Sequence, residues 1–364
     1  MKIAILGTRG IPNNYGGFEQ FAEYLSVNLV KLGYYVTVYC PLSHPYKSNN
    51  YKGVERKMKY CPEKTVGSAA HFIYDFICLK DAIKCNYDVI FEFGYQSASI
   101  SYLFLNFRNS IVITNMDGLE WKRSKWSPLV KKLTKWFERI AVNRSTFLIS
   151  DNKGIEEYFL KQYDKKSFMI PYPATLVNNI DDSILSLYNL TKNNYLLTIA
   201  RLEPENNLEL ILDAYLSSRI DEPYVLIGNF KTKYGDFLKS KYKSSNIHFL
   251  GSIYKKEHLD SLRYNAKCYI HGHSVGGTNP ALLEAMAAGA FIFAHKNIFN
   301  KDVLGKEAYF FETEEELKEM LVNLNELSLK KAIMLKSNKE KISKIFSLDT
   351  IIKQYDQLIN KVNS

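Results

Sequence analysis

No stretch of this sequence reaches eighteen uncharged apolar residues in a row, so nothing in it reads as a membrane-spanning helix. Cysteine is scarce. Cys40, Cys61, Cys78, Cys85 and Cys268 are odd in number and form no C-x-x-C pair, which argues against a disulfide framework and for thiols in a reducing compartment. No G-x-x-x-x-G-K-[ST] occurs, which removes a P-loop nucleotide hydrolase. The dinucleotide fingerprint is missing too. The first strand-like run leads into "GTRG", only G-x-x-G, and the second ends Tyr39-Cys40-Pro41 without the acid that would hold a ribose. No D-x-D is present, so the usual carboxylate grip on a metal-bridged diphosphate is absent, and no internal repeat or low-complexity tract suggests a solenoid or a disordered tail. The sequence enters directly on the strand "MKIAILG" without a signal-peptide pattern, and a cytosolic protein is expected.

Acids are the minority charge: 48 Lys and Arg against 38 Asp and Glu leave a net +10. Such an excess suits an anionic partner, whether nucleic acid, an anionic membrane face or a phosphorylated substrate; a lysine-rich solvated surface accounts for it equally well. Nucleic acid is the weakest of these, because no basic reading element interleaved with aromatic platforms is found.

What is present is alternation. The strand-like runs "KIAILG", "YVTVYC", "DVIFEFG", "SIVITN" and "TFLIS" are separated by helical patterns, including 18–32, a region near "AAHFIYDFICLKDAIK", 97–106 and 127–142. The pattern lapses over 171–194 and restarts with "YLLTIAR", "YVLIG", "IHFLG", "KCYIHGH" and "AFIFAH". At 364 residues the chain can bury two cores. The spacing predicts two α/β domains, each a doubly wound parallel sheet, facing each other across a cleft at the carboxyl ends of their strands. The expected boundaries are 1–175, 190–345 and a last helix, 346–364, packing back on the first domain.

Two glycine-rich loops, 7–17 and 276–279, follow strands and precede helices. Asn279 suits an N-cap, Pro280 the first helical position and Gly289 the stop, so the second loop aims a helix N-terminus at an anion. His271 and His273 alternate along one strand and share a face. No third ligand stands at supporting spacing, so a place in a ligand pocket is preferred to a metal.

Taken together, "GTRGIPNNYGGFE", "NMDGLEWKRSKW", "ARLEPENN" and "GHSVGGTNPALLEAMAAGA" resemble the bacterial glycosyltransferases of family 4 over essentially the whole chain. The resemblance is closest to the rhamnosyltransferase-like branch, whose N-terminal half is a domain of formerly unknown function. It implies a GT-B fold, a nucleoside-diphosphate sugar donor and transfer with retention of anomeric configuration; with no D-x-D present, no metal or other cofactor is expected. The acceptor it implies is a glycan or a lipid-pyrophosphate-linked precursor of a cell-surface polysaccharide.

The resemblance also distributes roles. Glu284 would grip the donor ribose, and Arg201 the diphosphate, where it would stabilise leaving-group charge. Gly16, Gly17, Asn206, His273, Gly277, Thr278 and Asn279 would complete the donor contacts. Asp117, which follows "SIVITNM", would orient the acceptor hydroxyl or take its proton. Two positions depart from the family pattern: the first of its two glutamates is Gly276, and the diphosphate lysine is Asn206. Arg9 is a candidate substitute for the missing cation. Glu19 and Glu120 read as helix-surface acids.

The stretch "WKRSKWSPLVKKLTKWFERI" has an apolar face of Leu129, Leu133, Trp136 or Phe137, and Ile140, which suits either an anionic lipid surface or, equally, a core-packed helix. Lys122, Arg123, Lys125 and Trp126 are its candidate membrane contacts, against a solvated basic side as the alternative. The expected function is thus a metal-independent retaining glycosyltransferase, rhamnose favoured as the sugar and peripheral on the inner face of the plasma membrane. Transfer of another hexose or N-acetylhexosamine from UDP or GDP is the alternative. The other classes left open are a non-catalytic sugar-nucleotide binder and a basic nucleic-acid-binding protein.

Overall fold

A computed structural model describes every residue except Tyr15, Arg108, Asn109, Asp117, Lys125 and Ser364. The chain divides into two compact units. Unit 1 comprises Met1–Lys122, Trp126–Tyr172 and Asp349–Ser364; unit 2 comprises Arg123–Lys125 and Pro173–Leu348.

Unit 1 is built on eight strands: β1 (Lys2–Leu6), β2 (Tyr35–Pro41), β3 (Asn50–Tyr51), β4 (Val54–Lys59), β5 (Val89–Glu92), β6 (Ile111–Asn115), β7 (Phe147–Ser150) and β8 (Phe168–Met169). Their order is β3-β4-β2-β1-β5-β6-β7-β8, parallel except for the β3–β4 pair. Strand β1 is central: Ile3 pairs with Val36 on one side and Val89 on the other. Its residues Ile3 to Leu6 are fully buried, as a parallel strand covered on both faces requires. The last helix, Leu348–Asn363, completes this unit. Tyr355 sits among Phe21, Phe91 and Phe93 with ring centroids 5.5, 5.4 and 6.5 Å away, and the Tyr34 hydroxyl donates to Asp356 at 2.6 Å.

Unit 2 has six strands, β9 (Leu196–Ile199), β10 (Tyr224–Ile227), β11 (Ile247–Gly251), β12 (Cys268–His271), β13 (Ile292–His295) and β14 (Tyr309–Phe311). They are all parallel, in the order β11-β10-β9-β12-β13-β14. Both units are therefore Rossmann-like α/β domains, as the alternation implies.

Three differences from the sequence reading have local causes. The helix expected over 97–106 is two short ones, Tyr95–Ala98 and Ser101–Phe104; between them the Ser99 hydroxyl donates to the Gln96 carbonyl and competes with the helical ladder. Strands β3, β4, β8 and β14 carry no clean alternation because they are short or, like "VERKMK", heavily charged near a sheet edge. The helix Pro128–Arg144 turns Thr134, Phe137, Glu138, Ile140 and Ala141 inward and leaves Leu129, Leu133 and Trp136 exposed, so its apolar face is divided between core and solvent. All five cysteines are free, with Cys61 and Cys85 partly exposed.

Beneath the first loop lies a pair of acids. Glu92, at the end of β5, and Asp75 are both buried, and Gly94 N–H donates to Glu92 Oε1 at 3.3 Å. A side chain at Gly7 would strike that oxygen at 2.0 Å. Loss of hydration raises both acids, Asp75 to about 7, and the neighbouring Asp75 charge adds to the rise at Glu92. An unfolded aspartate ionises near 3.8, so between there and about 7 the folded chain holds more protons and stability falls as pH rises. Asp75→Asn is expected to flatten this decline and raise the urea midpoint near neutral pH; parallel profiles for parent and variant would remove Asp75 as its source.

Candidate functional site

In unit 2, β9 has β10 on one side and β12 on the other, so the connections at the carboxyl ends of β9 and β12 diverge and leave a crevice. The loops after these two strands fill its rim and are locked together. The Asn207 side-chain amide donates to the Gly272 carbonyl at 2.8 Å, and Ser274 donates to the Glu205 carbonyl from its backbone N–H at 3.1 Å and its hydroxyl at 2.8 Å. Gly272 lies so close to this loop that a Cβ would sit 2.1 Å from the Asn206 carbonyl oxygen. The His273 carbonyl accepts from the side-chain amides of Asn297 and Asn300 at 2.8 and 3.0 Å.

The helix Pro280–Ala288 starts as the sequence predicts. Asn279 accepts from the Ala281 N–H at 2.9 Å, Pro280 opens the first turn and Gly289 ends it at φ +79°. Glu284 projects from the helix with its side chain 41% exposed, which leaves its carboxylate open to a ligand. Its Oε2 accepts from Arg263 Nη2 at 2.5 Å, while Arg263 Nη1 lies 3.5 Å from Asp260. Arg263 is itself buried, and so fixes the orientation of the carboxylate from below. The rings of His271 and His273 stack at 4.5 Å. Burial holds both neutral, His273 being lowered to about 3 with help from the Arg201 and Arg123 charges, and His271 with help from His273.

The sequence-nominated residues fall into one group in each unit. Arg201, His273, Gly277, Thr278, Asn279 and Glu284 belong to the two loops and helix of unit 2, with Arg201 exposed at the rim. Asn206 is corrected: its side chain is buried and its amide nitrogen donates to the Arg201 carbonyl at 2.5 Å, so it shapes the loop instead of offering that donor to a ligand. Gly276 adopts φ +121° in open space, so backbone conformation and not crowding favours glycine there.

In unit 1, Gly16 caps the helix Gly17–Lys31, and Arg9 lines a cavity of about 130 Å³ with Glu19, Glu63, His71 and Tyr74. The Arg9 guanidinium pairs with Glu63 at 3.2 Å and meets His71 at 3.2 Å, so its charge is already compensated. Glu19 is buried and accepts from the Arg9 N–H at 2.9 Å, not a surface acid as expected. Glu120 accepts from the Trp126 indole at 2.9 Å. Arg123 is also corrected as a membrane contact: it turns to Glu203 and Glu205, 3.7 and 3.8 Å away, where the Ser124 hydroxyl also donates to Glu205 at 2.9 Å. Lys122 is exposed, while Asp117 and Lys125 lie outside the described residues.

Sequence reasoning missed Arg263, Asn297, Asn300 and the Glu203–Glu205 acids. Arg263 left one signal: it continues the inward side of "HLDSLRYN" beside Leu262, where an unpaired arginine would not be tolerated.

Comparison with known proteins bears on this arrangement. Residues 1–175 match the model of a domain of unknown function, DUF1972, and residues 183–342 match that of the glycosyl transferases group 1. No curated protein sequence matches the chain. Among solved structures, a sucrose-phosphate synthase from Thermosynechococcus elongatus is similar at TM-score 0.81 and 15% identity, covering 99% of this chain and 98% of that one. HepE from Anabaena, in complex with UDP and glucose, gives 0.79 and 15%, covering 99% and 100%. A glycosyltransferase from Rickettsia africae gives 0.74 and 11%, covering 100% and 98%. The fold is that of the GT-B glycosyltransferases, and with the group 1 match it supports a glycosyltransferase.

The interlocked loops carry a direct test. Gly272→Ala is expected to force them apart and cost about 1–3 kcal/mol, the range for overpacking a tight site. Urea unfolding measures this, and an unchanged midpoint would show that the contact yields without strain.

Proposed function

We propose that this protein transfers a sugar, rhamnose favoured, from a nucleoside-diphosphate donor to a glycan or lipid-linked acceptor in cell-surface polysaccharide synthesis, with retention and without a metal. The observation that carries the reading is Glu284, half exposed on the helix that follows the glycine loop and oriented by buried Arg263. A carboxylate so fixed suits a pair of vicinal hydroxyls such as those of a ribose. The positive end of the helix Pro280–Ala288 and the exposed Arg201 suit the diphosphate. HepE, a structural neighbour, has been seen with UDP and with UDP-glucose, which supports a nucleotide sugar here.

Retention follows from a same-face displacement. The bond from the anomeric carbon to the leaving diphosphate oxygen breaks, and charge collects on that oxygen beside Arg201 and the helix N-terminus. The acceptor hydroxyl adds to the same face of the oxocarbenium-like sugar and gives its proton to the departing oxygen. No enzyme nucleophile is required, which suits a glycine at position 276. Neutral His273 can serve the sugar as a hydrogen-bonding group without adding charge. Metal independence rests on the missing D-x-D. Asp117 keeps its assignment to the acceptor hydroxyl on sequence grounds.

Thermal shift with dTDP, UDP, GDP, NAD and a short single-stranded oligonucleotide tests the reading. A shift with one nucleoside diphosphate is expected and names the donor base, separating rhamnose transfer from dTDP from the UDP and GDP alternatives. A shift with the oligonucleotide alone would overturn the proposal. Glu284→Gln is expected to weaken that nucleotide by about tenfold to a hundredfold, the worth of a hydrogen bond to a charged group. Arg201→Ala is expected to slow turnover by about 2–4 kcal/mol of barrier while activity persists in EDTA; a near-parental rate, or rescue of EDTA-treated enzyme by Mg²⁺, would contradict the mechanism.

A further inference from the structure

We infer that the outward face of the helix Pro128–Arg144 docks unit 1 on an anionic lipid surface. This goes beyond the transfer reaction and does not depend on which donor is used. Leu129, Lys132, Leu133, Trp136, Arg139 and Asn143 recur at i, i+3, i+4, i+7, i+10 and i+14, and so form one stripe. All six are exposed in the folded chain, with Leu129 77%, Leu133 45% and Trp136 46% accessible. Large apolar side chains concentrated on one helical stripe are not the scattered exposure of an ordinary surface.

Charge selects the partner. The only acid of this helix, Glu138, is fully buried, where it accepts from Trp121, Lys135, Tyr158 and Tyr163. The solvent side therefore carries Lys132, Arg139 and Arg144 with no carboxylate from the same helix. Among the described residues, none of these three cations has a hydrogen bond or ion pair. The short helix Ser101–Phe104 packs against this one and adds Phe104, 74% exposed, and Leu103, 40% exposed. A protein partner built to cover leucine and tryptophan would need its own acids at matched points. A bilayer with anionic headgroups supplies both requirements at once, because apolar side chains enter the acyl boundary while lysine and arginine stay at the headgroups. The helix need not refold to bind, since its polar and buried side is already held by the domain.

Flotation of the full chain with vesicles tests this. Binding is expected to phosphatidylglycerol-containing vesicles and not to pure phosphatidylcholine, and to weaken as salt is raised. Lys132→Gln with Arg139→Gln should lower partitioning about thirtyfold, from about 1 kcal/mol per basic residue. Leu129→Ser with Trp136→Ser should lower it on the order of tenfold or more, with melting temperatures showing that both variants fold. Absence of binding, equal binding to neutral vesicles, or binding untouched by both variants would each overturn the inference. So would a dimer that Leu129→Ser with Trp136→Ser dissolves in a chain that ignores vesicles, since the stripe would then be a contact between copies.

Discussion

The close approach of Gly272 to the Asn206 carbonyl is the constraint on which the unit 2 site depends. With no side chain at 272, the loops after β9 and β12 come near enough for Asn207 and Ser274 to stitch them by hydrogen bonds to backbone carbonyls. That stitching fixes where Arg201 leaves its loop and where His273 begins the next one. The helix Pro280–Ala288 then starts from a loop already anchored at two places, by Ser274 and by the asparagines that hold the His273 carbonyl.

Polar groups below the surface do comparable positioning. Arg263 is buried and bridges Asp260 and Glu284, so the exposed carboxylate is oriented before any ligand arrives. Glu138 gathers Trp121, Lys135, Tyr158 and Tyr163 around one side chain and ties the basic helix to its neighbours. In both places a charge taken out of water meets its complement, carboxylates at Arg263 and donors at Glu138, as burial of a charge demands.

Much of this architecture was legible in the sequence because its signals are local. Strand runs, glycine stops, the Asn279–Pro280 cap and the two α/β domains all follow from patterns a few residues wide. What escaped depended on side-chain pairings that no local pattern specifies. Asn206 looked like a ligand position but spends its amide on its own loop; Glu19 looked solvated but sits under the Arg9 N–H; Arg123 looked like a lipid contact but faces Glu203 and Glu205. The basic helix shows the same limit in another form. Its amphipathic period was visible, yet the choice of buried stripe turned on Glu138 finding four donors, and no window of sequence shows those donors together.

The seat of Tyr355 among Phe21, Phe91 and Phe93 has a consequence for how the chain is made. Unit 1 takes its first strand from the start of the sequence and part of its core from the end, with all of Pro173–Leu348 in between. Unit 1 cannot complete its aromatic core until the chain beyond Leu348 has been made, so closing the first domain is coupled to having traversed the whole of the second. A chain cut between the two would leave Phe21, Phe91 and Phe93 around an unfilled socket, a hydrophobic surface of the kind that promotes aggregation.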